Sequence, residues 1–329
     1  MNPSPTPSSP ATDRAVLTLA LGPSIYRDMA VNLIRSIHRW HPAGTLPIML
    51  ATDDPAPLPR ELANVQLRVL KPQELGAGFE TKLHLDRLAP AQYTLFIDAD
   101  CLVYEPLDRL FGRLAGRPVA TVGGAISAGE WFGDVAALCR QLNVPAIPKF
   151  NGGLYYLERG EKSSAVYQRA RELAGRYDEL GLVRLRGRPN DELLMASAMA
   201  LAGLAAVPDD GTFISDPQAC PGPMHVNVLR GRRELTNPPP PSPRHQPWYP
   251  FARVRPAIVH YLGHHTTTPL YRTEVLRLRA AARGWPVGLA DLAGTVAGLP
   301  AHIIEWSKKI LRPMFHQLFG RRRVRASAR

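Results

Sequence analysis

The sequence predicts an α/β protein with a mixed, mostly parallel central sheet flanked by helices. Short apolar runs alternate with amphipathic segments of helical period over the first half of the chain, as in sheets covered by helices. The 329 residues are enough to bury a large core. The opening apolar run is followed by neither a glycine-rich dinucleotide fingerprint nor a P-loop, so neither of those nucleotide-binding motifs is supported.

The predicted elements follow in a regular order. In the first half we expect a strand, a helix, two strands, a short helix and a central strand, at 15–21, 26–39, 46–51, 65–70, 81–88 and 93–97. The second half is less regular, with strands at 119–122 and 150–157 and from 257, and helices at 163–180 and 190–203. A proline-rich stretch at 238–250 cannot pair in a sheet and predicts an extended loop.

Composition divides the chain into three parts. Residues 1–13 are rich in Pro, Ser and Thr and predict a disordered leader, 14–280 a folded body, and 281–329 a basic helical tail. The net charge is +12, of which +7 falls after residue 300. Because the body lacks aromatic-basic motifs, we expect no nucleic-acid partner.

Cysteine content and hydropathy bear on the compartment. The three cysteines, Cys101, Cys139 and Cys220, are far apart and odd in number, which predicts no disulfide framework and a reducing compartment. No run of about twenty uninterrupted apolar residues occurs, so we expect no membrane-spanning segment.

The central strand ends in two carboxylates, Asp98 and Asp100. Ligands of parallel α/β sheets bind beyond the carboxyl ends of strands, so both side chains are expected at the rim of a site. Two anions this close repel each other unless a cation lies between them or one is protonated. A divalent cation that also binds a phosphate is one reading, and carboxylates that cap a loop or helix are the other.

Four further residues are of types that occur in polar binding or catalytic sites. They are Lys82, sixteen residues before Asp98; Asn151 beside two glycines; Asp191 at a helix start; and His260 at the end of an apolar strand. Each also has a structural reading: a solvated lysine, a turn residue, a helix cap or dipole partner, and a core histidine.

As an ordered set, these motifs resemble the GT-A nucleotide-sugar glycosyltransferases, and most closely glycosyltransferase family 8. That family includes glycogenin-like enzymes and bacterial lipo-oligosaccharide galactosyltransferases of the cell envelope. The segments that carry the resemblance span 14–272 and begin with the strand-helix unit Leu19 to Ser36; the others are Lys82-Leu83 with Leu95 to Tyr104, Phe150 to Gly153 with Asn190 to Glu192, and His260 to Gly263. The resemblance implies a GT-A catalytic domain at 14–280.

The same resemblance implies an activity and its partners. The expected reaction is retaining hexosyl transfer from a nucleotide sugar, with UDP as the nucleotide, to a carbohydrate or lipid-linked acceptor. The expected cofactor is Mn²⁺ or Mg²⁺.

The resemblance also assigns site residues. It implies that Asp98, Asp100 and His260 bind the metal, and that Asp191, Asn151 and Lys82 act in catalysis. The residues it places at the donor nucleotide are Leu21, Gly22, Tyr26, Lys82, Asp98, Ala99, Asp100 and Gly263.

Three positions depart from the family pattern. Thr266 stands where the family has a lysine for the diphosphate, which leaves His264 or His265 as substitutes. Gly22 and the two residues after it replace an acidic residue expected against the base, which leaves the base open. The family often has Asp-Gln where this chain has Asp191-Glu192, so the register there is open by one residue.

Two other functions fit parts of the pattern. The Asp98 strand also resembles the nucleophile strand of haloacid-dehalogenase-type phosphatases, although that strand normally opens its domain and here more than ninety residues precede it. A GT-A protein that binds a nucleotide sugar without turning it over is the second alternative.

The tail carries apolar residues at helical spacing from Ile303 onward, and Pro313 is expected to kink or divide this helix. One reading is a helix that docks on the body. The other is an anchor lying on an anionic membrane surface, with cations toward the head groups. The predicted location is cytoplasmic, with peripheral attachment to the inner face of the membrane under the second reading.

Overall fold

The computed structural model describes residues 13–71, 74–76, 78–185 and 187–320. The proposed leader at 1–13, apart from its last residue, and the arginine cluster after Gly320 therefore lie outside the described residues.

The strands in chain order are β1 (Arg14–Ala20), β2 (Ile48–Thr52), β3 (Gln66–Val69), β4 (Tyr93–Ile97), β5 (Cys101–Val103), β6 (Val119–Ala120), β7 (Val122–Ile126), β8 (Ile147–Phe150), β9 (Leu154–Glu158), β10 (Val207–Pro208), β11 (Ile214–Ser215), β12 (Met224–Asn227), β13 (Arg232–Thr236), β14 (Arg253–Val254) and β15 (Ile258–His260). The α-helices are α1 (Ser24–Trp40), α2 (Leu85–Leu88), α3 (Asp108–Leu114), α4 (Val135–Leu142), α5 (Glu161–Ala174), α6 (Asp191–Leu201), α7 (Pro269–Ala282) and α8 (Val287–Phe319). Short 3₁₀ helices occupy Arg60–Leu62, Gly78–His84 and Gly263–Thr267.

The main sheet has six strands in the order β3-β2-β1-β4-β9-β6. The first four are parallel, β9 runs antiparallel to β4, and β6 runs antiparallel to β9. Two clusters of buried apolar side chains contain residues of this sheet, and they include the fully buried Leu95 and Phe96 of β4. The predicted mixed, mostly parallel sheet flanked by helices is confirmed.

A second, three-stranded sheet of order β11-β15-β5 brings two distant parts of the chain to the end of β4. Strand β5 follows the Asp-X-Asp turn and pairs antiparallel with β15, so that Cys101 lies opposite His260. This pairing places the histidine at the carboxyl edge of the sheet, next to Asp100.

Two predicted elements have other bounds in the structure. The segment 150–157 is not one strand: β8 ends at Phe150, a turn covers 151–153, and β9 begins at Leu154. The helix predicted at 163–180 ends at Ala174 and is followed by turns, since the glycine at 175 is a poor helix former.

The tail forms one helix of 33 residues that continues through Pro300 and Pro313, so the predicted division at Pro313 is wrong. Its first half packs on α7. There, a Cβ added at Gly294 would lie 2.4 Å from Arg277 Cγ, and one at Gly298 would lie 2.1 Å from Thr273 Oγ1. These two glycines are therefore required for the close approach of the two helices.

The second half of α8 exposes most of its apolar side chains, including Trp306 at 64% and Leu318 at 76%. By length and composition alone, α8 is apolar enough to cross a membrane, with a mean hydropathy of 1.4 over its best 18 residues and only 17% of that window buried. The sequence contains no unbroken apolar run of this length, so such a segment was not expected. Core helices of soluble proteins have the same length and composition.

Candidate active site

The two carboxylates of the Asp-X-Asp turn have different partners. The Asp98 side chain accepts a hydrogen bond from the Lys82 ammonium over 2.6 Å, and its backbone N–H donates to the Gly153 carbonyl over 3.0 Å. The Asp100 carboxylate instead faces His260. Between them, the Ala99 side chain is buried in the core. The pair therefore presents one carboxylate to a lysine and one to a histidine.

Lys82 is surrounded by hydrogen-bond acceptors. Its ammonium is 3.8 Å from Asp191 Oδ2 and donates to the Gly152 carbonyl over 3.3 Å, and only 11% of the side chain is exposed. Burial opposes the charged form, but the carboxylates of Asp191 and Asp98 outweigh it and raise the lysine pKa above its usual value. The ammonium therefore stays charged, and Lys82 is not a solvated helix lysine.

Each ring nitrogen of His260 has its own neighbour. Nδ1 lies 2.7 Å from Asn151 Oδ1, and Nε2 lies 2.9 Å from Asp100 Oδ1. Burial lowers the imidazole pKa, but the Asp100 carboxylate more than compensates and raises it to about 9. Because the amide oxygen can only accept, Nδ1 carries a proton and Nε2 is directed at Asp100.

Asp100 Oδ1 is buried and lacks a hydrogen bond of acceptable geometry, although His260 Nε2 is close enough for an ion pair. A buried carboxylate oxygen without a hydrogen bond is costly and indicates a missing partner such as an ion. The histidine holds the pKa of Asp100 below its usual value despite the burial. Asp100 and His260 Nε2 thus offer one oxygen and one nitrogen ligand in the same place.

Asn151 contacts the Nδ1 side of the His260 ring, opposite Asp100. Its Oδ1 also accepts from the Gly153 N–H over 2.9 Å, and its Nδ2 donates to Asp216 Oδ2 over 2.8 Å. The other oxygen of Asp216 accepts from two backbone N–H groups of the following loop. Both ends of the Asn151 amide are occupied, so the side chain fixes the orientation of the His260 ring. Sequence reasoning missed Asp216, whose one signal was a carboxylate directly after a strand.

Two glycines make room for protein side chains. A Cβ on Gly153 would lie 2.6 Å from His260 Nδ1, and a Cβ on Gly152 would lie 2.5 Å from the Glu192 carboxylate. The sequence analysis expected these glycines to admit a ligand. In the structure they admit the histidine and the glutamate.

The start of α6 carries the other carboxylates of the site. Asn190 caps this helix by accepting from the Leu193 N–H over 3.1 Å, so the cap is not Asp191. Asp191 Oδ2 accepts from the Tyr155 hydroxyl over 3.2 Å, and burial raises the pKa of this carboxyl above its usual value. Asp191 therefore faces Lys82 within the site.

Glu192, which sequence reasoning did not single out, accepts a hydrogen bond from the Gly152 N–H over 2.8 Å. Burial and the neighbouring Asp191 carboxylate raise its pKa to about 7. A carboxyl with this pKa can hold or release a proton near neutral pH.

The loop after β1 and the first turn of α1 contain three of the residues expected at the nucleotide, Leu21, Gly22 and Tyr26. A cavity of about 280 Å³ is lined by the loop after β1 and the loop after β2, including Gly22, Arg27 and Asp53. Asp53 Oδ2 accepts from the Gly22 N–H over 2.9 Å, which supplies a carboxylate that the opening strand lacks. Tyr26 is 40% exposed, so it does not belong to the buried face of α1, and Leu21 packs partly buried against the core.

The segment after His260 carries the proposed substitutes for the phosphate lysine. Gly263 begins the 3₁₀ helix with a positive φ of 60°, and Thr266 is buried with its hydroxyl donating to the Gly263 carbonyl over 2.9 Å. His264 and His265 stack with ring centroids 4.0 Å apart. Burial lowers the pKa of His265. Thr266 is thus occupied within the turn, whereas His264 is exposed.

No family model and no curated protein matches the sequence. Among solved structures, the chain is similar to galactosyltransferase LgtC in complex with donor and acceptor sugar analogues, with 12% identity, a TM-score of 0.49, and coverage of 86% of this chain and 95% of LgtC. It is also similar to the glycosyltransferase GlyE of Streptococcus pneumoniae, with 16% identity, a TM-score of 0.42 and coverage of 62% of this chain. The matched part spans 48% of GlyE, about half its length.

An active-site Gln-to-Glu variant of LgtC matches as well, with 14% identity, a TM-score of 0.46, and coverage of 76% of this chain and 87% of that protein. The proteins in these three structures are glycosyltransferases. Because the identities are 12–16% and the TM-scores are below 0.5, the argument for an activity depends on the site itself.

Proposed function

We propose that this protein is a metal-dependent glycosyltransferase that moves a hexose from a UDP-sugar to a carbohydrate or lipid-linked acceptor, with retention. The single observation that supports this most is the buried oxygen of Asp100 without a hydrogen bond, beside the oriented Nε2 of His260 at the carboxyl edge of the sheet. An unsatisfied carboxylate and an oriented imidazole at this edge are what a cation site for a diphosphate requires.

The donor atoms fit a divalent cation. Asp100 and His260, with Asp98 two positions before Asp100, would hold Mn²⁺ or Mg²⁺, which accept oxygen ligands and one imidazole. A cation bound there would supply Lewis-acid neutralisation of the charge on the departing diphosphate. Since Asp98 now binds Lys82, its part in holding the cation requires that this ion pair loosen.

The chain's own residues then have distinct roles. Asn151 fixes the tautomer of His260, and Lys82 keeps Asp98 and Asp191 in place as a permanent cation. Asp191 is a buried carboxylate next to that ammonium, where it can accept hydrogen bonds from sugar hydroxyls. Retention is proposed from the resemblance to family 8.

For the base, we propose the cavity between the loops after β1 and β2, which is lined by Ser24 and Arg27 of α1. Tyr26 of the same helix is exposed, and we propose that it stacks on the base. Asp53, which holds the Gly22 N–H with one oxygen, has a second oxygen for a ring N–H of uracil.

A further part of the proposal is peripheral attachment to an anionic membrane through the second half of α8. Its exposed apolar side chains include Trp306, Phe315 and Leu318, and they are accompanied by Lys308 and Arg312. An apolar face combined with cations is typical of helices that lie in the interface. Such attachment would place the enzyme on the cytoplasmic face, beside a lipid-linked acceptor.

Calorimetric titration with UDP, with and without Mn²⁺, tests the metal and donor site. We expect UDP binding to need Mn²⁺ and to weaken on the order of tenfold or more in His260→Ala, since that variant removes a ligand. The matched control is His264→Ala, whose exposed ring follows the same strand and should leave the affinity close to that of the wild type. Equal UDP affinity in His260→Ala and the wild type would mean that His260 is a structural residue of the core and not a metal ligand.

Sedimentation with liposomes tests the membrane part. A chain ending at His302 keeps the packing of Gly294 and Gly298 on α7 and the contact of His302 with Thr273, so it should fold. We expect the full chain to pellet with anionic vesicles and to release as salt is raised, while the shortened chain stays in solution. Equal pelleting of both chains, or of the full chain with neutral lipid, contradicts the anchor.

A further inference from the structure

A thiol lies beside the two ligands of the proposed metal site. The ligand atoms of Asp100, Cys101 and His260 all lie within 4.8 Å of one another. Cys101 is directly opposite His260 in the antiparallel pair of β5 and β15, so their side chains are on the same face of this small sheet. Strand pairing therefore fixes the thiol next to the imidazole.

Asp98 does not complete this group. Its carboxylate lies 2.6 Å from the Lys82 ammonium, and it is absent from the group of ligand atoms that the structure gathers. The three nearest donor atoms are thus one oxygen, one nitrogen and one sulfur. A site of this kind suits Zn²⁺ or Co²⁺, because thiolate and imidazole ligands favour borderline and soft cations over Mn²⁺ and Mg²⁺.

We propose that Cys101 is a third metal ligand, through which Asp100, Cys101 and His260 bind Zn²⁺ or Co²⁺ more tightly than Mn²⁺ or Mg²⁺. As the metal binds, the Cys101 thiol proton and the proton between His260 Nε2 and Asp100 are both released to solvent. The inference shares the metal centre with the proposed transferase but does not rest on turnover.

The required movement is small. Bonds of about 2.0–2.3 Å to one cation hold ligand atoms roughly 3–4 Å apart, so a pair 4.8 Å apart closes by about 1–2 Å and the Asp100–His260 pair at 2.9 Å widens. The Cys101 thiol has only a weak contact of 3.8 Å with the Gly153 carbonyl, which it loses at little cost. The buried Asp100 oxygen has no hydrogen bond, and the metal replaces its ion pair with His260 Nε2.

Absorption spectroscopy of the metal-stripped full chain during titration with Co²⁺ tests this inference. A thiolate bound to Co²⁺ gives a charge-transfer band in the near ultraviolet that oxygen and nitrogen ligands do not give. We expect this band in the wild type and in the matched control Cys139→Ser, whose cysteine is buried in another helix. We expect it to be absent in Cys101→Ser, with Zn²⁺ affinity reduced on the order of tenfold or more.

The outcomes separate this inference from the proposed function. A Co²⁺ complex without the band, or a band that persists in Cys101→Ser, overturns the thiolate ligand. Mn²⁺-dependent UDP binding, measured on the same samples, reports on the proposed function alone. If Cys101→Ser fails to fold by circular dichroism, Cys101→Val supplies an apolar side chain of similar size and the same expectation holds. Absence of any Co²⁺ binding to the wild type overturns the inference outright.

Discussion

Replacing Lys82 with methionine removes the ammonium that lies against Asp98 and Asp191. The lysine side chain is 11% exposed and that of Asp191 is 4% exposed, so water has little access to this pair, whereas Asp98 is 23% exposed. Methionine keeps the length and apolar character of the lysine stem, which isolates the effect of the charge. The change leaves the buried Asp191 carboxylate, with Glu192 beside it, without the Lys82 counter-charge, and it also unpairs the partly exposed Asp98.

The expected cost follows from the two distances. At an effective dielectric constant of about 20, attraction at 2.6 Å is about 6 kcal/mol and at 3.8 Å about 4 kcal/mol. The desolvation of the lysine in the wild type offsets much of this, and partial protonation of the carboxylates in the mutant offsets more. Breaking a buried pair by removing one partner typically costs about 3–5 kcal/mol, and we expect Lys82→Met to lose that much at pH 7.

Urea unfolding at pH 7, followed by circular dichroism, measures this loss. The matched control is Lys162→Met on the exposed surface of α5, which should change the unfolding free energy by less than about 0.5 kcal/mol. Adding Asp191→Asn to Lys82→Met should recover part of the stability, because it removes one of the unpaired charges. A loss of unfolding free energy below about 1 kcal/mol in Lys82→Met would show that the ammonium does not form buried ion pairs.

Three other predictions concern charge and orientation. Burial raises the pKa of the Glu192 carboxyl from 4.5 to about 7 in the folded protein. Its stabilising contribution is therefore complete below pH 4.5 and is lost as the pH rises through 7. In urea titrations, the gain in unfolding free energy from Glu192→Gln should be about 3 kcal/mol larger at pH 8 than at pH 4. Asn151→Ala should weaken Mn²⁺ binding about 10–100-fold by calorimetry, because it removes the acceptor that orients His260. Arg277→Met should cost about 3–5 kcal/mol by thermal or urea unfolding, because it leaves the fully buried Glu274 unpaired, and Glu274→Gln added to it should recover part of that loss.

The contradicting results differ in each case. A constant effect of Glu192→Gln between pH 4 and 8 would place its pKa near the ordinary value. Equal metal affinity in Asn151→Ala and the wild type would mean that the amide does not orient His260. A loss below about 1 kcal/mol in Arg277→Met would show that Glu274 is protonated or hydrated in the wild type.

The sequence predicted the sheet because its apolar runs are local signals, and the end of β4 located the Asp-X-Asp pair. It could not predict the direction of β9. An apolar run indicates a buried strand but not whether that strand pairs parallel or antiparallel with its neighbour, and β9 pairs antiparallel with β4. The continuity of α8 through Pro313 was also missed, since a local rule for proline does not include the packing of the rest of the helix.

The sequence predicted which residues form the site but not which of their side chains contact each other. His260, Asp100 and Lys82 were named from the motifs, but the pairing of Lys82 with Asp98 depends on how the 3₁₀ segment Gly78–His84 docks on the sheet. Asn151 was expected to act in catalysis, whereas its amide is occupied by His260 and the Asp216 carboxylate. These two Asn151 contacts join residues 109 and 65 positions apart, and their geometry is set by packing that one sequence does not encode locally.

The proposed activity is tested most directly by hydrolysis of nucleotide sugars by the purified full chain in the presence of Mn²⁺. We predict metal-dependent release of UDP from a UDP-hexose, and a loss on the order of a hundredfold or more in Asp100→Asn, since electrostatic stabilisation of the leaving group is a large catalytic contribution. Full activity in Asp100→Asn, or no hydrolysis of any nucleotide sugar with Mn²⁺, would contradict the proposal. Phosphorylation of Asp98 by a phosphomonoester would support the phosphatase alternative in its place.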